Sequence, residues 1–186
     1  MVEISNTNFI YTENNFFSEK DCENIINKFN NNLIPSNNHT GYEYKDLFYD
    51  NFILDQEFFN KFNSTLSNSL NKYKKLYPEI NNTASIWGLT DLRFKKFNKG
   101  MSFANFHSEH NLSYPNRILS IQLYLSNHNC GTEFYRDNII IFSNVGKLAI
   151  FPAYFTHTHK GQICKENKER FIITGYLSFI KKGKKE

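Results

Sequence analysis

The chain has 186 residues and a formal net charge of +4, with 17% aromatic and 22% charged residues. That length fits a single domain able to bury a core without disulfides or a structural metal, so any metal is expected to serve chemistry. The charge is modest and comes partly from the terminal run Lys181, Lys182, Lys184 and Lys185, which supports nucleic-acid binding only weakly.

No segment is apolar enough to span a bilayer, and the N-terminus lacks the basic and apolar regions of a signal peptide. A cytoplasmic protein without a membrane partner is expected. Cys22, Cys130 and Cys164 are odd in number, widely spaced and free of any CxxC pair, and read as reduced thiols.

In chain order, residues 8–11 read as a short strand, and Ser18 with Glu19, Lys20 and Asp21 resembles a capping box opening a helix. Cys22, Ile25, Ile26 and Phe29 follow at helical spacing, so this helix lays one apolar face on the core. A second helix is predicted from near Asp55, with Phe58, Phe59, Phe62, Leu66, Leu70 and Tyr73 on one side, ending before Pro78. Residues 36–52 read as a loop framing an entrance, as do residues 108–116.

From about residue 84 the pattern changes to short runs rich in β-branched and aromatic residues, at 91–97, 103–107, 117–126, 132–135, 138–142, 147–151 and 170–180. Closely spaced short strands predict a mostly β fold, an antiparallel sandwich or jelly roll, behind N-terminal helices. One domain is expected, with 1–83 as helical support, 84–180 as the β core and 181–186 as a basic tail.

His107 and Glu109 stand two residues apart at the end of a predicted strand, where alternation puts both on one face and within reach of one ion. His157 and His159 follow some fifty residues later. Two imidazoles and one carboxylate that leave positions open form the facial triad of non-haem iron(II) oxygenases. An extended segment would turn both His157 and His159 inward, so spacing does not choose between them. His110 would point away from His107, and His39 and His128 lie in Asn-rich, turn-like sequence read as exposed.

Arg170 opens an otherwise apolar strand, where a buried charge is costly without a partner. Its guanidinium suits a carboxylate, and Thr174 shares its face. Tyr124 lies in a core-like run, and Arg93 and Arg117 are further candidates for binding a carboxylate.

Four ordered elements, His107-Ser108-Glu109, Gly131-Thr132-Glu133-Phe134, Phe151-Pro152-Ala153-Tyr154-Phe155-Thr156-His157 and Arg170 to Gly175, resemble the prolyl 4-hydroxylase-like branch of the Fe(II)/2-oxoglutarate-dependent dioxygenases over residues 90–180. The resemblance implies a double-stranded β-helix and a metal held by His107, Glu109 and His157, with His159 lining the site. It also implies a 2-oxoglutarate pocket of Arg170, Thr174 and Tyr124. The chain departs from the family at Glu109, where many relatives carry aspartate, and at Phe97 and Phe103, where relatives often carry tyrosines.

The implied activity is hydroxylation of a C–H bond of a peptide, with proline one candidate, or of a small molecule. Fe(II), O2 and 2-oxoglutarate are consumed or required, succinate and CO2 are released, and ascorbate is a supporting reductant. Two alternatives are a catalytically silent jelly-roll metal-binding module and a cupin-like metalloenzyme that does not use 2-oxoglutarate.

Overall fold

The computed structural model describes residues 8–36, 41–50, 52–83, 86–136, 138–166 and 168–180; His39 and the basic tail lie outside them. Strand β1 (Tyr11–Glu13) leads into helix α1 (Glu19–Phe29), then come β2 (Ile34–Pro35), β3 (Tyr42–Tyr49) and β4 (Phe52–Ile53), and helix α2 (Gln56–Leu76) follows. The remaining strands are β5 (Trp87–Phe97), β6 (Arg117–Tyr124), β7 (Gly131–Phe134), β8 (Ile140–Phe142), β9 (Leu148–Pro152), β10 (His159–Gly161) and β11 (Arg170–Phe179).

They form two antiparallel sheets. The larger runs β1-β9-β6-β11-β5-β3-β2 with β4 paired to β3, and the smaller runs β10-β7-β8. The mostly β architecture with N-terminal helices is as expected, and the opposed sheets have the arrangement anticipated for a jelly roll.

Both helices start where side chains satisfy the otherwise orphaned first N–H groups. Ser18 accepts from the Asp21 amide at 3.1 Å while the Asp21 carboxylate accepts from the Ser18 amide, completing the capping box. Asp55 accepts from the Phe58 amide at 2.8 Å and opens α2. The predicted stripes then bury Cys22, Ile25 and Phe29 of α1, and Phe58, Phe62, Leu66 and Tyr73 of α2. These side chains pack on Leu92, Phe94, Leu119, Ile121, Leu123, Ile150, Ile173 and Leu177 on one face of the large sheet. Each fully buried side chain of this size stabilises by roughly 1.5–3 kcal/mol through removal from water.

The opposite face carries a second, smaller core. Tyr124, Ala149, Phe151 and Ile172 of the large sheet meet Phe134 and Ile141 of the small one. The candidate site residues Arg170 and Thr174 belong to this inter-sheet face.

Several expectations are corrected. Residues 36–52 are not a loop framing an entrance: most of them form β3, which pairs with β5 over Tyr42 to Tyr49. The charged and aromatic residues of β3 alternate in a half-buried strand that composition alone does not separate from a loop. The first 83 residues are thus not only helical support, since they supply β1 to β4.

No strand forms over 103–107; His107 makes only an isolated bridge to His159. The three-thiol reading also fails. Cys130 and Cys164 form a disulfide with their Cα atoms 5.1 Å apart, and only Cys22 is free, on the buried face of α1. The pairing joins residues 34 apart in sequence that only the folded chain brings together, so the cysteines do not argue for a reducing compartment. Among the described residues no helix is long and apolar enough to cross a membrane.

Candidate metal centre and anion pocket

Strand alternation sorts β11 into two faces. Ile173 and Leu177 turn to the helices, whereas Arg170, Ile172, Thr174 and Tyr176 turn to the inter-sheet cavity, which measures about 380 Å³. Across the ladder β11 pairs Ile172 with Lys95, Thr174 with Arg93 and Tyr176 with Asp91 of β5. The cavity face of β5 is therefore charged at alternate positions while Leu92 and Phe94 between them are fully buried in the helix-side core.

At this cavity His107, Glu109 and His159 each present a ligand atom, all within 4.8 Å of one another. His107 and His159 are held opposite each other by two backbone hydrogen bonds, from the His107 amide to the His159 carbonyl at 3.0 Å and the reverse at 2.9 Å. The two ring centroids lie 4.6 Å apart with their planes tilted by 49°. Glu109 is carried by its own amide donating to the Ala153 carbonyl.

Nδ1 of His107 lies 2.9 Å from the Asn105 carbonyl, and Nδ1 of His159 lies 2.9 Å from the His157 carbonyl. A carbonyl only accepts, so both rings carry a proton on Nδ1 and face Glu109 with Nε2. Those Nε2 atoms stand 3.4 Å and 3.8 Å from Glu109 Oε1. Two imidazoles oriented through their far nitrogens, beside one carboxylate, make a donor set suited to a divalent transition metal.

Burial raises the Glu109 carboxyl, but the His107 hydrogen bond and the Lys95 charge outweigh it and bring its pKa to about 2. Burial, reinforced by neighbouring His107, depresses His159 to about 4. Burial also lowers Lys95 to about 8.

His157, expected by resemblance as the distal ligand, is not in the cluster. Residues 155–157 form a 3-10 turn in which the His157 amide donates to the Tyr154 carbonyl. The turn breaks the alternation that an extended segment would have, and β10 begins only at His159. The His157 ring faces a separate cavity with Asn8, Phe134 and Arg136, and its Nε2 lies 2.6 Å from the Asn8 carbonyl. His159, expected merely to line the site, occupies the place opposite His107.

Arg170 and Thr174 meet at the same cavity. The Arg170 guanidinium donates to Ser102 Oγ at 3.0 Å and to the Gln162 carbonyl at 3.4 Å, and lies 4.6 Å from the Phe97 ring centroid. No carboxylate pairs with it among the described residues, and the buried atoms Arg170 Nε and Thr174 Oγ1 have no hydrogen-bond partner. Orphaned polar atoms of this kind are costly, so a convergent pair of them lining a cavity marks the place of an acceptor-rich ligand. Gly161 makes room for the guanidinium: a Cβ there would stand 2.5 Å from Ser102 Oγ and 3.3 Å from Arg170 Nη2.

The other candidates are distributed differently. Tyr124 is fully buried in the inter-sheet core, its hydroxyl 2.7 Å from Thr132 Oγ1 and 3.3 Å from the Ile141 carbonyl, and Thr132 rather than Tyr124 lines the cavity. Arg117 is already engaged, 3.3 Å from Glu109 and 3.6 Å from Asp91, with its guanidinium over the rings of Tyr114 and Tyr176. Arg93 donates to Asp46 at 2.6 Å.

His110 sits beside the cluster with Nδ1 3.2 Å from the Arg117 carbonyl. His128 is not exposed: it is buried, 2.9 Å from Glu166, and burial lowers its pKa. Lys95 and Asp91 escaped the sequence reading. Their signal was alternation, since DLRFKKF places Asp91, Arg93 and Lys95 on one face of a strand whose other face presents Leu92 and Phe94.

No protein-family model matches the sequence, and no curated protein matches it. Solved structures do. The chain is similar to the viral collagen prolyl hydroxylase of Paramecium bursaria Chlorella virus-1, in a structure with 2-oxoglutarate, at 16% identity and a TM-score of 0.72, covering 96% of this chain and 99% of that one. It is also similar to a Pseudomonas putida prolyl-4-hydroxylase at 13% identity and a TM-score of 0.69, over 94% and 95% of the two chains.

A third similarity is to a Trichoplax adhaerens prolyl hydroxylase bound to a hypoxia-inducible-factor peptide fragment, at 16% identity and a TM-score of 0.63, over 94% and 85%. The chain has the fold of these oxygenases along nearly its whole length.

Proposed function

We propose that this protein is an Fe(II)- and 2-oxoglutarate-dependent dioxygenase that hydroxylates a peptide, with prolyl residues the first candidates, or a small molecule. The observation that carries the reading is the coincidence, in one cavity, of the His107, Glu109 and His159 donor set with the orphaned Nε of Arg170 and Oγ1 of Thr174. His107, Glu109 and His159 hold the iron; His157 does not. Arg170 and Thr174 receive the distal carboxylate of 2-oxoglutarate. The solved 2-oxoglutarate complex and peptide complex on this fold support the co-substrate and substrate classes.

When bound, Fe(II) and 2-oxoglutarate activate O2 for C–H hydroxylation, with release of succinate and CO2 and with ascorbate as a reductant that keeps the metal ferrous. The chain supplies orientation and charge. Carbonyl-tethered Nδ1 atoms aim both Nε2 atoms, and Glu109 stays ionised at neutral pH chiefly through its hydrogen bond with His107. Arg117 bonds the outer Glu109 oxygen and restrains the longer side chain that replaces the family's aspartate. Tyr124 acts one step back, fixing Thr132 at the cavity wall.

Anaerobic addition of 2-oxoglutarate to the Fe(II)-loaded protein should produce a visible charge-transfer absorption band, and aerobic turnover should yield succinate. His107→Ala and His159→Ala should each lower succinate formation more than about 100-fold, whereas His157→Ala should retain it. Full activity in His159→Ala would overturn this ligand set.

A further inference from the structure

Four basic side chains line the cavity, Arg93, Lys95, Arg117 and Arg170. Arg93 is neutralised by Asp46, and Arg117 by Glu109 and Asp91. Arg170 is left to the co-substrate. Lys95 alone has neither an ion pair nor a hydrogen bond among the described residues, its Nζ lying instead 5.3 Å from the centroid of the Tyr42 ring. Glu109 and Asp91 act on it only from beyond contact distance, so an ammonium in this cavity is left under-compensated, and its retention marks the place of an anion that arrives with a ligand.

The location restricts which ligand that is. Lys95 is paired across the ladder with Ile172, between Arg170 and Thr174 on β11, and with Tyr44 on β3 on its other side. It thus stands one strand outward from the carboxylate anchor, toward the rim formed by Tyr42 and Tyr49. Arg170 and Thr174 already provide donors for the distal carboxylate of 2-oxoglutarate, and the metal would take its α-keto acid end, so Lys95 is left for a different molecule. One free positive charge balances one carboxylate and leaves a phosphate, with nearly two charges, under-compensated.

We infer that Lys95 is a substrate-specificity residue and that the substrate of this protein carries a carboxylate, which the Lys95 ammonium binds beside the reacting centre. The inference rests on the co-substrate reading only in assigning Arg170 to 2-oxoglutarate. The carboxylate belongs either to the terminus of a small substrate or to an acidic side chain of a peptide.

The test uses the redox-inert Zn(II)- and 2-oxoglutarate-loaded protein and two matched probe pairs followed by NMR titration. The pairs are N-acetyl-L-proline against its primary amide, and a capped Gly-Pro-Glu-Gly peptide against the same peptide with Gln for Glu. The wild type should bind the anionic member of one pair about tenfold tighter or more than the neutral member, and the pair that responds identifies the source of the carboxylate. Lys95→Met should abolish the preference and Lys95→Arg should keep part of it, both with 2-oxoglutarate affinity within about twofold of wild type.

Equal binding within both pairs, or a preference that survives in Lys95→Met, would overturn the inference. So would a loss of 2-oxoglutarate affinity of about tenfold or more in Lys95→Met, which would return the lysine to the co-substrate. If the wild type binds zinc but not 2-oxoglutarate, the co-substrate reading fails; the same probe pairs on the zinc-only protein then decide the role of Lys95 separately.

Discussion

The two faces of the large sheet are built from the same strands but solve opposite problems. The helix-side face buries Leu92, Phe94, Leu119, Ile121, Ile173 and Leu177 against rings and aliphatic chains from both helices, so nearly every atom there gains from leaving water. The inter-sheet face holds Asp91, Arg93, Lys95, Arg170 and Thr174 around a cavity, and two of its buried polar atoms lack partners. One face stabilises the protein, and the other carries charged and polar groups, of which Arg170 Nε and Thr174 Oγ1 are buried without a hydrogen-bond partner. Alternation along β5 and β11 delivers both functions from single strands.

This comparison can be broken most forcefully from the helix side. Phe62 is fully buried and touches Phe16, Phe17 and Phe58. Phe62→Ala should destabilise the protein by about 3–5 kcal/mol in urea denaturation, while metal and 2-oxoglutarate affinity per folded molecule stay unchanged. A large drop in affinity would mean that the faces are energetically coupled.

Arg170→Met sharpens the contrast from the other side. It removes a buried cation without a carboxylate partner, so the melting temperature of the unliganded protein should not fall, whereas 2-oxoglutarate affinity should fall about tenfold to 100-fold. Calorimetry and an anaerobic titration measure the two effects; a clearly lower melting temperature would show that Ser102 and Gln162 already compensate the charge.

The smallest effect is pH dependence. His159 and His128 are both held below the ordinary histidine range by burial. The unfolded chain therefore takes up their protons first as the pH drops below about 6.5, and stability is lost from there toward about 4. Glu109, depressed to about 2, contributes stability above its unfolded value and loses it only as pH falls below about 4.5. The metal-free protein should accordingly melt a few degrees lower at pH 5 than at pH 7, and His159→Gln should flatten that slope.

The sequence by itself determined what depends on neighbours along the chain. Ser18 and Asp55 mark the helix starts, the apolar stripes mark the buried faces, and the alternation of Arg170, Ile172 and Thr174 defines one lined strand face. His107 and Glu109 were recognisable as a pair through their spacing, although the segment that carries them is a bridged loop rather than a strand.

The tertiary structure decided what depends on pairing between distant segments. Residues Tyr42 to Tyr49 become a strand because β5 offers an edge to bond. Cys130 and Cys164 meet because the β6–β7 and β10–β11 connections converge. His159 takes the place expected of His157 because a 3-10 turn interrupts the extended chain just before the bridge to His107 forms. In each case the local pattern allows two conformations of similar cost, and long-range hydrogen bonds or a covalent link select one.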